Sequence, residues 1–232
     1  SGNSGGEFVS LGHYERDDVA AVVDELRVRN WVGAVGVWGR SMGAATALLY
    51  AATRDPDVAC VVADSAYAGL VRLCRELVAR VRRRKSKGAE QGPGGALVQG
   101  AVTEAALALV RSSVRHRAGF DVYDVSPLDH VAALRRAGTP ALLLHGGRDD
   151  FIHADHARDL HAAHGGEATL MWRAARELVL STRVEDVCIG CSTWIIKLLG
   201  PRAPRSARAC SCTTGCGAPT QPMRRGQHMR PT

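Results

Sequence analysis

Apolar positions along this chain fall into two rhythms, and the alternation between them predicts the elements. Four short apolar runs, at 32–38, 58–63, 140–145 and 168–172, the first of them β-branched, are continuous enough to be buried strands. Between them lie segments with helical spacing. Asp17 and Asp18 open a helix whose Val19, Val22, Val23 and Leu26 form one stripe. Residues 42–52 are an alanine- and leucine-rich run that predicts a buried helix. Residues 70–84 are amphipathic, and further helices are expected over 102–116, 129–136 and 154–164. Residues 1–12 read as a Gly/Ser loop with a short extended piece at 8–11, Asp55-Pro56-Asp57 as a break, and 88–100 as a Gly-rich flexible stretch. The apolar run 194–199 is expected to supply a last helix. Strands alternating with helices predict an α/β domain with a parallel sheet.

Composition narrows the picture further. The chain has 232 residues, enough for one α/β domain with a sizeable core, and a formal net charge of +7. Six arginines between Pro201 and Thr232 have no acidic neighbour, leaving 24 basic against 23 acidic side chains before them, a net of +1. The body is therefore nearly neutral, and no nucleic-acid partner is expected. No run of apolar residues is long enough to span a bilayer. The opening residues read as neither a signal nor a transit peptide, which with the absence of an initiator Met predicts a piece of a larger, cytoplasmic protein. Cys60 and Cys74 are expected to be buried free thiols. Cys188, Cys191, Cys210, Cys212 and Cys216 crowd the other end in a spacing that matches no strong zinc pattern, so no metal is expected. The basic end of the third helix (Arg80, Arg82, Arg83, Arg84, Lys85, with Lys87) suits a solvated helix terminus and is also compatible with peripheral contact with a membrane surface.

One junction carries chemistry. Gly39-Arg40-Ser41-Met42-Gly43 sits between the first strand and the alanine-rich helix, the context that makes G-x-S-x-G a nucleophile elbow. The turn demands glycines where backbone crowds backbone, lifts the Ser41 hydroxyl clear of the sheet, and leaves the Met42 N–H at the positive end of a helix, ready to donate to an oxyanion.

In combination these pieces resemble the α/β-hydrolase family, in its serine-aminopeptidase-like branch with many plant, algal and protist members. The matching stretches are S-G-N-S-G-G-E-F-V-S-L-G, Y-E-R-D-D-V, V-G-V-W-G-R-S-M-G-A, V-V-A-D-S-A, F-D-V-Y-D-V-S-P and P-A-L-L-L-H-G-G-R-D-D-F-I. The resemblance spans residues 1–172 and implies a partial α/β-hydrolase domain, with 67–118 as a lid-like helical insertion covering the top of the sheet. Residues 173–200 are a divergent end and 201–232 a basic Cys/Pro/Arg-rich tail, expected to be disordered and to resemble read-through sequence. By this resemblance Ser41 is the nucleophile, Asp149 the acid with Asp150 as second choice, and Met42 the oxyanion donor. The implied function is cleavage of an ester, thioester or amide of a small-molecule, lipid or peptide substrate through an acyl-enzyme, with no cofactor.

Two family features are missing. The expected histidine belongs near residues 174–180, yet no histidine occurs between His164 and His228. His145 is expected to pack, and His153, His156, His161 and His164 to line the solvent face of their helix, so none is assigned as base. The family's first strands and second oxyanion N–H belong before residue 1, which predicts a bare hydrophobic edge on the strand at 32–38. The competing reading is a catalytically dead hydrolase-like binding protein, or a gene-model fragment.

Overall fold

The computed structural model describes residues 8–28, 33–85, 93–173, 187–191 and 194–199. Four strands form the parallel part of the sheet: β1 (Ala34–Arg40), β2 (Cys60–Asp64), β3 (Ala141–Gly146) and β4 (Ala168–Arg173). They lie in the order β4-β3-β2-β1, each pair parallel. The register puts Arg40, Asp64, Leu144 and Met171 in one row across the sheet, so the residues that follow them leave from one edge. All four strands fall within a residue or two of the apolar runs that predict them, because unbroken apolar runs suit strands buried on both faces.

Helix α1 (Glu15–Val28) precedes β1, and the helices between the strands are α2 (Met42–Thr53), α3 (Leu70–Lys85), α4 (Pro93–Ala118), α5 (Pro127–His130), α6 (Ala132–Ala137) and α7 (Ala154–His164). Helix α2 is the hub. Its residues from Gly43 to Ala51 are all buried, which an alanine-rich sequence permits because small side chains bring other elements close on every side. Val19, Val23 and Leu26 of α1 join Val35, Val37, Leu48, Val61 and Leu143 in the main core. A second cluster gathers Ala45 and Leu49 of α2 with Leu70, Leu73, Phe120, Val125 and Ile152.

Several expectations are corrected. The edge of β1 is not bare: β6 (Trp194–Leu199) pairs with it antiparallel from Ala34↔Leu199 to Gly39↔Trp194, and β5 (Val187–Cys191) pairs antiparallel with β6. The run 194–199 is therefore a strand rather than a last helix. Six residues with adjacent isoleucines are short for a helix and well suited to an open sheet edge. Residues 8–11 form no strand and lead into a turn. Helix α4 begins at Pro93, inside the stretch read as flexible, since proline at the first helical position loses nothing. The helix expected at 129–136 starts at Pro127 and is two short helices meeting at Val131. The tail at 201–232 lies outside the described residues.

Candidate active site

The row that ends at Arg40 sets up the site. Immediately after β1, Ser41 takes φ 53° and ψ −117°, a conformation that costs a non-glycine residue about 1–3 kcal/mol. Its backbone is fixed from both ends. The Ser41 N–H donates to the Asp64 carbonyl at 2.8 Å, and the Ser41 carbonyl accepts from Ala44 and Ala45 at 3.0 and 3.1 Å. The turn is possible because of Gly39. A Cβ there would sit 2.0 Å from the Gly43 carbonyl oxygen and 2.6 Å from the Ala44 nitrogen, backbone atoms that cannot swing away. Ser41 is half-buried and its side chain makes no capping bond to α2. Met42 is the first residue of that helix, where a backbone N–H has no partner within the helix. The sharp strand-to-helix turn expected at Ser41 is thus formed.

Asp149 lies two strands away, in the loop after β3. Its Oδ1 accepts the N–H groups of Phe151 at 2.7 Å and Ile152 at 3.0 Å, and its own N–H donates to the Gly146 carbonyl at 3.1 Å. One carboxylate oxygen is thereby held by the loop. His145 closes the same loop: its Nε2 is 3.0 Å from the Ile152 carbonyl, which can only accept, so Nε2 carries the proton. Ile152 is 2% exposed and anchors the loop in the second core cluster, whereas Asp150 is exposed. Ser41 and Asp149 therefore leave the same edge of the sheet from β1 and β3.

Between them, at the end of β2, stands a residue pair whose importance is not evident in the sequence. Asp64 is 1% exposed, accepts a hydrogen bond from the Ser65 hydroxyl at 2.9 Å, and lies 3.9 Å from the Arg40 guanidinium. Burial pushes its carboxyl above the ordinary aspartate value, against the opposing pull of Ser65, Arg40 and His145. The only available signal is an Asp-Ser pair closing a strand beside the elbow.

The histidines of α7 correct the sequence reading. His156 and His164 are fully buried rather than solvent-facing. His156 Nδ1 accepts the Ala68 N–H at 2.9 Å, so it is neutral and its Nε2–H donates to Glu76 at 2.9 Å; burial holds its pKa below the usual histidine value. His164 donates from Nε2 to the Thr139 carbonyl at 3.1 Å, and Gly166 N–H meets its Nδ1 at 3.3 Å. Exposed His153 pairs with Asp155, and His161 lies 3.1 Å from the Ala168 carbonyl. As expected, His145 packs: it is fully buried with its ring edge-on to Trp172. Residues 174–180, where the base was expected, lie outside the described residues.

A loop from the chain's beginning also reaches this edge. Glu15 accepts from the Ser10 N–H and hydroxyl and from the Gly12 N–H at 2.5–2.8 Å, and the Tyr67 hydroxyl donates to the Leu11 carbonyl. Gly12, at φ 115°, lies against Leu49, Thr46 and Val125. A shallow cleft of about 170 Å³ lies apart from Ser41 and Asp149, beside Arg72, Arg75, Tyr123 and Asp129. Both of its arginines are engaged, Arg72 with Glu76 and Asp159 and Arg75 with Glu104. Among the described residues, no three His, Cys, Asp or Glu side chains gather as a metal-ligand set.

The chain is similar in part to several known proteins. The model of the X-Pro dipeptidyl-peptidase (S15) family matches residues 1–79, which contain the elbow. An uncharacterized Bacillus subtilis protein, YqkD, is 31% identical over 171 residues, which is 73% of this chain and 50% of that protein. The chain thus spans about half the length of the curated relative it matches. Among solved structures, the Pyrococcus furiosus esterase Pf2001 aligns with a TM-score of 0.49 at 21% identity, over 76% of this chain and 58% of the esterase. An α/β fold family hydrolase from Bacillus anthracis aligns with a TM-score of 0.43 at 15% identity, over 73% and 69% respectively. Four parallel strands flanked by helices, with a strained serine between β1 and α2, make this part of an α/β-hydrolase fold.

Proposed function

We propose that the chain carries the nucleophile and acid of a serine hydrolase, close to the serine-aminopeptidase-like branch, that cleaves an ester, thioester or amide. The observation that carries this reading is the Ser41 turn. Strain of this kind persists only where surrounding structure enforces it, and here Gly39, the Asp64 carbonyl and the first turn of α2 all do. In the proposed reaction Ser41 Oγ attacks the acyl carbon while a base takes its proton. The Met42 N–H stabilises the oxyanion, and the bond to the leaving alcohol, thiol or amine breaks as that group is protonated. Water then releases the acid and regenerates the serine. Asp149, with one oxygen fixed by the Phe151 and Ile152 N–H groups, keeps the other for orienting the base.

A second reading has its own observation. The described histidines nearest this edge, His145 and His156, are buried and bound elsewhere, which favours a hydrolase-like binding protein without a working base. Labelling by a fluorophosphonate probe, with Ser41→Ala as control, separates the two. The hydrolase reading expects labelling that disappears in Ser41→Ala, because an unassisted serine hydroxyl is a poor nucleophile. A soluble, folded chain that does not label would leave the binding-protein reading standing.

A further inference from the structure

Helix α3 is tied to the acid-bearing loop in a way that neither the elbow nor the hydrolytic scheme requires. Polar contacts recur every four residues along one face. Arg72 reaches Asp159 at 2.5 Å, Glu76 meets His156 at 2.9 Å, and the Arg80 guanidinium donates to the Phe151 carbonyl at 3.2 Å. Side chains of the helix therefore reach α7 and, at Arg80, the loop that holds Asp149. Its last turn carries Arg82, Arg83, Arg84 and Lys85, and between Glu76 and Glu90 the sequence has six basic residues and no acidic one. That density stands out in a body, residues 1–200, whose formal net charge is only +1. Large apolar side chains stand at the same end of the helix: Val81 is 54% exposed and Phe151 56% exposed.

We propose that this end of the molecule, formed by the last turn of α3 with Val81 and Phe151, docks on an anionic phospholipid surface. Clustered basic residues are drawn to anionic headgroups. An exposed aromatic beside them gains by entering the boundary between headgroups and acyl chains, an advantage that a soluble polyanion does not offer. Exposed Val81 between Arg80 and Arg82, with Arg80 bonded to the carbonyl of exposed Phe151, is what favours a lipid surface over a nucleic acid. Docked in this way, the chain presents the Asp149 loop at the bilayer. The corollary that the substrate is a lipid-borne acyl group rests on the hydrolase reading above; the docking itself does not.

The test is co-sedimentation of the full chain with phosphatidylcholine vesicles, with and without phosphatidylserine, which reads no enzymatic activity. Binding is expected only to the anionic vesicles and to weaken with added salt. Each basic side chain near the surface contributes a factor of roughly five, so Arg82→Gln, Arg83→Gln and Arg84→Gln together should lower partitioning on the order of a hundredfold. Phe151→Ser keeps the charge and should lower it several-fold. Arg224→Gln with Arg225→Gln, in the distal basic segment, should leave it unchanged, and circular dichroism confirms that each variant is folded. The proposal is overturned by equal binding to neutral vesicles, by no binding, or by loss of binding only in the Arg224/Arg225 variant. It is also overturned if heparin binds as tightly as the vesicles and Phe151→Ser changes nothing, since that pattern describes a polyanion site. Because probe labelling and vesicle binding are read separately, the docking and the serine chemistry can fail independently.

Discussion

Two adjacent strand ends repeat the same device and do different things with it. Ser41 after β1 and Ser65 after β2 both take left-handed backbone angles, φ 53° and 56°. Both extend the parallel ladder by one bond, donating N–H at 2.8 Å to the Asp64 and Leu144 carbonyls. The hydroxyls then diverge. Ser65 is 8% exposed and donates a hydrogen bond to the buried Asp64 carboxylate, while Ser41 leads straight into α2 and makes no capping bond. Backbone strain at the edge of this sheet is therefore not by itself a sign of a nucleophile. The distinguishing features are a helix N-terminus directly behind the serine and a hydroxyl that the local fold has not already engaged.

The comparison can be broken most severely at Gly39. Gly39→Ala places a Cβ on the Gly43 carbonyl, and urea unfolding should report a loss of about 4 kcal/mol or more, or a chain that fails to fold. Gly36→Ala, on the same strand, meets only the Cys60 thiol at 2.9 Å and should be far milder, so equal losses would refute the steric account of the elbow.

Next come the serines themselves. Ser65→Ala removes a hydrogen bond from a buried carboxylate and should cost about 1–3 kcal/mol while leaving probe labelling intact. Ser41→Gly relieves the strained φ and should gain about 1 kcal/mol while abolishing labelling. If the two variants move stability in the same direction, the hydroxyls are not divided as described.

The smallest expected effect is on the pH dependence of stability. Asp64 has a folded-state pKa above the unfolded value of 3.8, so the folded state holds its proton more tightly. Its favourable contribution is complete below 3.8 and is lost as pH rises through the folded value. Asp64→Asn should flatten that decline in unfolding titrations between pH 3 and neutrality. An unchanged slope would mean that Asp64 titrates alike in the folded and unfolded chains.

The sequence alone was enough for what depends on short-range pattern. The four parallel strands, the buried α2 and the elbow are all written in runs of fewer than a dozen residues, because burial on both faces demands unbroken apolar character and the turn at Ser41 admits only glycine at position 39. Asp149 was singled out only through the resemblance of its loop to the family's acid-bearing loop, although the bonds that hold it, to the N–H groups two and three residues ahead, are local.

Tertiary structure decided whatever depends on a distant partner. His156 and His164 share a four-residue spacing with Leu160, which marks one stripe of α7, but polar side chains on that stripe become core residues only because Ala68, Glu76 and Thr139 arrive from elsewhere to bond them. The pairing of Trp194–Leu199 with β1 is likewise invisible in a six-residue apolar run, which becomes a strand once it meets an open edge. Asp64 belongs to the same class. Its neighbours in sequence make it a strand terminus, and only the approach of Arg40 and His145 from the flanking strands makes it the buried charge between the two candidate catalytic groups.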